Sequence, residues 1–215
     1  MTKRKTILSL IANILIVVLT AAIVCSYFSA KPSLLVQSGF GSFRYFTTDS
    51  NVLVAIAALV TAVCDIRILA KKTDTIPKAA LMFKFVGTAC VMLTMIVTIL
   101  FLVPVYGGFV FRGTLIIVHA VTPLLAVLSF AFLETVHHIK RLPSLAGVVP
   151  MMLYGIVYYI EVRVIGEENG GWKDFYMYNR GGQWFLSLFL LTAGCFAVTL
   201  LTAFIHNLVL KHTKT

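Results

Sequence analysis

Residues 43–72, FRYFTTDSNVLVAIAALVTAVCDIRILAKK, contain the pattern that decides the fold. Polar residues near the start of this stretch are followed by a mostly apolar run that ends at two lysines. A helix needs roughly 20 apolar residues to cross the hydrocarbon core of a membrane. The stretch therefore predicts a membrane-spanning helix over residues 47–70, with its basic end in the cytoplasm.

The rest of the chain repeats this pattern of long apolar runs and short connections. Hydrophobic residues make up 60% of the sequence, charged residues 12%, and the mean hydropathy is +0.96, which excludes an ordinary soluble domain. The first run is longer than the about 7 to 15 residues of a signal-peptide core, so we interpret it as a helix. We predict an all-α fold, a single polytopic transmembrane bundle of six helices over residues 1–215. The predicted helices lie near residues 7–29, 47–70, 80–103, 114–135, 146–165 and 183–207.

The basic residues predict the orientation of this bundle. The chain has 18 Lys and Arg residues and a net charge of +10, which is also found in nucleic-acid-binding proteins. Here, however, the positions of the basic residues follow the connections between apolar runs. With a cytoplasmic N-terminus, twelve of the 18, Lys84 among them, belong to cytoplasmic segments and six to the opposite side. This positive-inside pattern predicts both termini in the cytoplasm and membrane lipids, not nucleic acid, as partners. The compact loops favour a bacterial plasma membrane.

Polar residues in three predicted helices lie at similar depths. At 1.5 Å per residue, His119 lies about 8 Å below the outer edge, and Asn51 and Glu161 each lie about 6 Å below it. Ionisable residues within a span are costly and are functional candidates by default. Pro123 has no N–H, which frees the His119 carbonyl from its intrahelical bond and predicts a kink beside the histidine. The common depth predicts a site in the outer half of the bundle.

Each of these residues also has a purely structural interpretation. Thr47 or Thr48 fits an N-cap, because threonine is among the preferred capping residues. His119 fits a packed histidine bound to a neighbouring carbonyl, and Glu161 with Arg163 fits an interfacial pair. Capping alone does not explain why the polar groups share one depth, and this coincidence favours a functional site.

A threonine hydroxyl and a histidine at one depth predict nucleophilic catalysis. The hydroxyl is a weak nucleophile and needs an adjacent base, most often histidine. The N-terminus of a helix adds free N–H groups and a positive dipole end, which stabilise an oxyanion. We therefore predict Thr47 as the nucleophile and His119 as the base in the cleavage of a lipid-like ester. Four further residues are candidates for orienting the base or the substrate: Asp49, Ser50, Asn51 and Glu161.

Several motifs resemble those of a known family. FRYFTTDSN, then HAVTPLLAVLSFAFLE two helices later, and YGIVYYIEVRVIG followed by YMYN, are similar to the androgen-induced-protein-like family of multi-helix membrane proteins. Some members are threonine hydrolases that cleave fatty acid esters of hydroxy fatty acids, with a threonine at the start of one helix and a histidine in a later helix.

The resemblance covers most of the chain, and its specific part is short. By motif position it implies Thr47 as nucleophile and His119 as base, and the adjacent Thr48 leaves the choice of threonine open. The animal enzymes have an asparagine three residues after the nucleophile, where this chain has Ser50, with Asn51 one residue later. This difference leaves the substrate ester open.

Three other functions compete with the hydrolase. A haem or metal protein needs paired histidines, but His119 has no partner at its depth, and His137, His138 and His206 fit a solvated basic loop. We therefore predict no cofactor and no metal site. A small-solute transporter is favoured by the polar residues between Thr47 and Asp65, and disfavoured by the lack of a visible repeat. A non-catalytic membrane regulator on the same scaffold is the third. The sequence indicates no oligomeric state.

Overall fold

The computed structural model describes residues 1–29 and 37–213, except for the side chain of Arg180, and the described part contains helices and no strand. In chain order the apolar helices are α1 (Lys3–Ser29), α2 (Phe46–Leu69), α3 (Lys78–Phe111), α4 (Ile117–Leu133), α5 (Arg141–Ile165) and α6 (Trp184–His212). All except the shorter α4 are long and apolar enough to cross a membrane. The all-α prediction is confirmed, and the helices indicate a multi-pass membrane protein.

The outside of the bundle is apolar. Large side chains such as Leu153, Val164, Phe189 and Phe204 are at least 60% exposed. Exposed apolar surface on this scale marks contact with lipid or another protein rather than with water. The polar groups described below are therefore inside the bundle.

The helix α3 is longer than predicted. It was expected to end near residue 103 but continues to Phe111. A π-helical turn over Thr98–Leu102 precedes Pro104, and in it the Val103 N–H bonds to the Thr98 carbonyl. This wider turn lets the helix continue past the proline, which has no N–H of its own. The extension brings the end of α3 close to the start of α4.

The helix α4 is irregular where the sequence predicted irregularity. A π-helical turn over Ile117–Val121 immediately precedes Pro123, and the Thr122 N–H bonds to the Ile117 carbonyl. Single π turns inside helices are rare and frequently lie at functional sites. The turn contains His119.

Three levels follow one another along the bundle. The site level contains Asn51 and His119. The apolar layer consists of five residues with 0% exposure: Ile16, Val54, Ala58, Val91 and Ala126. The ionic network consists of five polar residues that also have 0% exposure: Ser9, Asn13, Asp65, Lys84 and Glu134. Along α4, Ala126 lies between His119 and Glu134, so packed apolar side chains separate the two polar levels.

Two ionisable residues are more buried than the sequence indicated. Lys84, counted among the cytoplasmic basic residues, is fully buried, with Glu134, the residue after the end of α4, as its counter-charge at 3.4 Å. His206 was assigned to a solvated loop but is also fully buried and stacks on Phe130, with ring centroids 4.4 Å apart. Of the other basic residues used to predict orientation, Lys31 and Lys214 lie outside the described residues.

Close packing of α2 against α3 depends on one glycine. A Cβ atom at Gly87 would lie 2.8 Å from the Cα atom of Val54. Small residues at helix interfaces let the backbones of membrane helices approach. Gly87 therefore sets the separation between these two helices at the level of the apolar layer.

Candidate active site

The predicted nucleophile and base line one cavity. This cavity has a volume of about 70 Å³ and is lined by Thr47 and Thr48 from α2 and by Val118 and His119 from α4. Aromatic side chains form much of its remaining wall: Tyr27, Tyr45, Tyr106, Phe175 and Tyr176. Of the three residues to which the sequence assigned a common depth, His119 lines this cavity, and Asn51 and Glu161 do not.

A backbone carbonyl orients His119. The ring is 4% exposed, and its Nδ1 lies 2.8 Å from the carbonyl oxygen of Val110, in the extended end of α3. A carbonyl only accepts hydrogen bonds, so Nδ1 is the protonated nitrogen and Nε2 carries the free lone pair. Among the described residues, Nε2 has no hydrogen-bond partner. The ring is therefore held in the tautomer that a general base requires.

Thr47 is the more available of the two adjacent threonines. Thr47 is half-buried, and its hydroxyl has no hydrogen-bond partner in the described part of the chain. Thr48 is 4% exposed, and its side chain interacts with that of Tyr27 on α1. No direct hydrogen bond joins Thr47 to His119 in the described structure, so proton transfer between them requires a closer approach of the two side chains or bridging water.

The first turn of α2 leaves one amide available for an oxyanion. The Phe46 N–H donates to the Tyr176 hydroxyl at 3.1 Å. The N–H groups of Thr48 and Asp49 both point to the Tyr45 carbonyl, at 2.9 and 3.3 Å. The amides of a first turn have no intrahelical acceptor, and Thr47 contributes the amide that these contacts leave unoccupied.

Asn51 connects the two helices that carry Thr47 and His119. Its Nδ2 donates to the Thr47 carbonyl at 2.8 Å and to the Val118 carbonyl at 3.1 Å. Its Oδ1 is buried without a hydrogen-bond partner. Ser50 instead faces α3, with its hydroxyl 3.0 Å from that of Thr94. Of the four orienting candidates, Asn51 alone bridges α2 and α4 at the site.

Asp49 and Glu161 lie at the periphery of the site. Both side chains are half-buried, and neither lines the cavity. Glu161 belongs to the last turns of α5, and its backbone carbonyl accepts from the Trp172 N–H at 3.2 Å. Glu161 therefore helps to fix the loop after α5 through its backbone.

The loop after α5 covers the site, and tyrosines hold it in place. The Tyr158 hydroxyl donates to Asp174 Oδ1 at 2.8 Å and accepts from the Tyr176 N–H at 3.0 Å. The Tyr154 hydroxyl donates to the Arg44 carbonyl at 2.6 Å. Burial raises the pKa of Tyr176, so its hydroxyl stays protonated beside the start of α2. These bonds place Phe175 and Tyr176 in the wall of the cavity.

Sequence reasoning missed the aromatic wall and the ionic network. YMYN, residues 176–179, was noticed only as part of a resemblance, and a single sequence does not show that Tyr176 packs against α2. For the ionic network, the polar residues Ser9 and Asn13, four positions apart inside an apolar helix, were an available signal.

Comparison with known proteins gives no family for this chain: no family model, no curated protein and no solved structure matches it.

Proposed function

We propose that this chain is an integral membrane hydrolase that cleaves a lipid-like, fatty acyl ester through Thr47 and His119. The observation that carries the proposal is the cavity that both residues line, together with the lack of a hydrogen-bond partner among the described residues for the Thr47 hydroxyl and for Nε2 of His119. The Val110 carbonyl fixes the tautomer of His119. In catalytic triads, a third group orients the base in the same way. The resemblance to androgen-induced-protein-like threonine hydrolases is consistent with these roles.

In the proposed reaction His119 Nε2 takes the proton of the Thr47 hydroxyl as its oxygen attacks the ester carbonyl. The resulting oxyanion is stabilised by the Thr47 N–H at the start of α2. The alkoxide leaving group takes the proton from His119, which leaves an acyl group on Thr47. Water then attacks the acyl carbon and transfers a proton to Nε2. The acid leaves as Nε2 returns that proton to the Thr47 oxygen, which restores the hydroxyl and the neutral base.

We further propose that all six helices cross the membrane, with both termini cytoplasmic and the site in the outer half. The 17-residue α4 is roughly 25 Å long, somewhat shorter than a typical core of about 30 Å. The positive-inside pattern supports the orientation, although the burial of Lys84 removes one residue from it. A bacterial plasma membrane is the proposed location.

Of the competing functions, the transporter is opposed by one observation. A transport path needs continuous polarity or an opening, and the apolar layer separates the site level from the ionic network. A non-catalytic regulator would retain the fold and lack a reactive threonine.

Labelling with a fluorophosphonate probe for serine and threonine hydrolases tests the proposal. The purified wild-type protein is expected to be labelled, and Thr47→Ala and His119→Ala to lose labelling by orders of magnitude. Thr48→Ala, the matched control, is expected to be labelled like the wild type. Absence of labelling in the wild type supports the regulator, and loss only in Thr48→Ala identifies the other threonine as nucleophile.

A further inference from the structure

The ionic network is the largest group of buried charges that the proposed hydrolysis does not use. It lies roughly 21 Å along α2 from Asn51, because Asp65 follows fourteen residues later. Ionisable residues inside a membrane bundle mark functional sites by default. The question is how this network balances its charges.

Lys84 and Glu134 form a compensated pair. Lys84 Nζ lies 3.4 Å from Glu134 Oε1 and donates to Asn13 Oδ1. Asn13 Nδ2 donates to the same Glu134 oxygen at 2.9 Å. An ammonium and a carboxylate joined in this way cancel each other. Hydrogen bonds stabilise the charge on Glu134 through Oε1, while its Oε2 is buried without a partner among the described residues.

Asp65 has no such compensation. Its Oδ2 accepts one hydrogen bond, from Ser9 Oγ at 2.7 Å, and its Oδ1 is buried with no partner in the part of the chain that the structure describes. The charged groups acting on it are Glu134, which disfavours a second negative charge, and Lys84, which Glu134 already neutralises. The facing residues on α1, Ser9 and Asn13, are neutral. A buried carboxylate usually stays ionised when several donors surround it, and Asp65 has one.

One more positive charge is therefore required, and a proton fits better than a metal ion. Hard cations need several oxygen ligands. Lys84 already occupies Asn13 Oδ1 and Glu134 Oε1, so among the described residues of the network only two carboxylate oxygens, Asp65 Oδ1 and Glu134 Oε2, are without a partner, too few for such an ion. A proton needs only one carboxyl oxygen.

We propose that Asp65 is a proton-binding site, at which the carboxylate takes one proton from water and becomes a neutral acid, hydrogen-bonded to Ser9, beside the Lys84–Glu134 pair. When the proton is bound, the charges of Asp65, Lys84 and Glu134 sum to zero. Loss of the proton leaves one uncompensated negative charge in a site with 0% exposure. The folded state therefore binds this proton more tightly than the unfolded state, and its stabilising effect is lost as pH rises.

His206 is the competing position for this proton. Its Nδ1 and Nε2 each lie 3.0 Å from a carbonyl oxygen, those of Phe130 and His137. Both contacts are hydrogen bonds only in the imidazolium form, which would balance an ionised Asp65. A neutral His206 makes one hydrogen bond fewer than the imidazolium form. An ionised Asp65 is a buried charge that accepts a hydrogen bond from a single donor. The second cost is larger, which assigns the proton to Asp65.

Infrared spectroscopy of the purified full-length protein distinguishes the two positions. At neutral pH the wild type is expected to show the carbonyl stretching band of a protonated carboxyl group in an apolar environment. The band is expected to disappear in Asp65→Asn and to remain in Glu134→Gln. In wild-type protein with ¹³C-labelled aspartate the band should shift, which identifies an aspartate even if Asp65→Asn does not fold.

Thermal unfolding from about pH 5 to about pH 9 provides the second measurement. The wild-type midpoint is expected to fall as pH rises, and that of Asp65→Asn to change much less. Asp74→Asn, in the connection between α2 and α3, is the matched control and should follow the wild type. Absence of the carboxyl band in the wild type places the proton on His206 and overturns the proposal. Recovery of the midpoint at high pH by Na⁺ but not K⁺ identifies a metal-ion site and also overturns it.

Discussion

Asn51 donates from one amide nitrogen to the Val118 carbonyl, 3.1 Å away, and Val118 immediately precedes His119. The same nitrogen donates to the carbonyl of Thr47 at 2.8 Å. One side chain is thus bonded to the backbone of the proposed nucleophile and to the residue next to the proposed base. The relative position of α2 and α4 at the site depends on this amide.

Replacement of Asn51 is expected to affect reactivity more than stability. Asn51→Ala leaves two buried carbonyls without this donor, which should lower the free energy of unfolding by about 1–3 kcal/mol. Because small displacements of reacting groups have large effects on rate, probe labelling of Thr47 should slow by about 100-fold. Ser50→Ala is the control, because its hydroxyl bonds to the Thr47 carbonyl and to Thr94 on α3 but does not reach α4, and this variant should label at nearly the wild-type rate. Labelling of Asn51→Ala at the wild-type rate would show that the amide does not position the site.

The contact between α2 and α3 predicts sensitivity at Gly87. A Cβ atom there meets the Val54 backbone at 2.8 Å, and backbone atoms cannot move aside as a flexible side chain can. Gly87→Ala should therefore destabilise the protein by about 1–3 kcal/mol in thermal unfolding. Gly194→Ala adds the same methyl group to α6 where nothing lies within 4 Å, and should be neutral or slightly stabilising. Equal midpoints for the two variants would contradict the close approach.

The Lys84–Glu134 pair predicts that the effects of substituting its two members on the free energy of unfolding are strongly non-additive. Lys84→Met leaves the buried Glu134 without its cation and is expected to cost about 3–5 kcal/mol of unfolding free energy. The double variant Lys84→Met/Glu134→Gln removes both charges and should recover most of that loss. Chemical unfolding of both single variants and the double variant gives the coupling energy. Additive losses would mean that the two charges do not interact.

The hydrogen bonds of the Tyr158 hydroxyl are expected to hold in place the loop after α5, which covers the site. Tyr158→Phe removes the bond to Asp174 and the acceptor of the Tyr176 N–H, which should destabilise this region by about 1–3 kcal/mol. Limited digestion by a lysine-specific protease should then cut faster after Lys173, which is exposed. Tyr159→Phe is the matched control, because Tyr159 is 41% exposed and makes only a ring contact with Trp184 that phenylalanine retains. Equal cleavage rates in the two variants would assign the loop's order to other contacts.

The sequence predicts the helices well because apolar length alone determines where a chain can cross a membrane. Predicted and observed bounds of α2 differ by one residue at each end, 47–70 against Phe46–Leu69. The end of α3 was missed because Pro104 usually stops a helix, and a π turn that bypasses it depends on backbone geometry. Counting residues inward from the helix ends placed His119, Asn51 and Glu161 at one level, but a residue count does not show which side chains share a cavity, and only His119 of the three lines the one that contains Thr47.

The partners of these residues were not predictable in the same way. The Val110 carbonyl that orients His119 is a backbone group, so no residue type marks it. Lys84 lies six residues inside an apolar helix, close enough to its end to suggest that the side chain extends to the surface. Its burial depends on contacts with Asn13 and Glu134, which are 71 positions before it and 50 positions after it in the sequence. Only the structure shows that these residues meet.

The apolar layer has an electrical consequence. A transmembrane voltage falls mainly across the part of a protein that contains neither water nor polarisable groups, and each charge that crosses 100 mV changes in energy by about 2.3 kcal/mol. Ile16, Val54 and Ala126 occupy that part of the bundle. In the proposed reaction a proton exchanged between Thr47 and His119 would stay on one side of the voltage drop, so the proposed ester cleavage is expected to proceed at the same rate in energised and de-energised membranes.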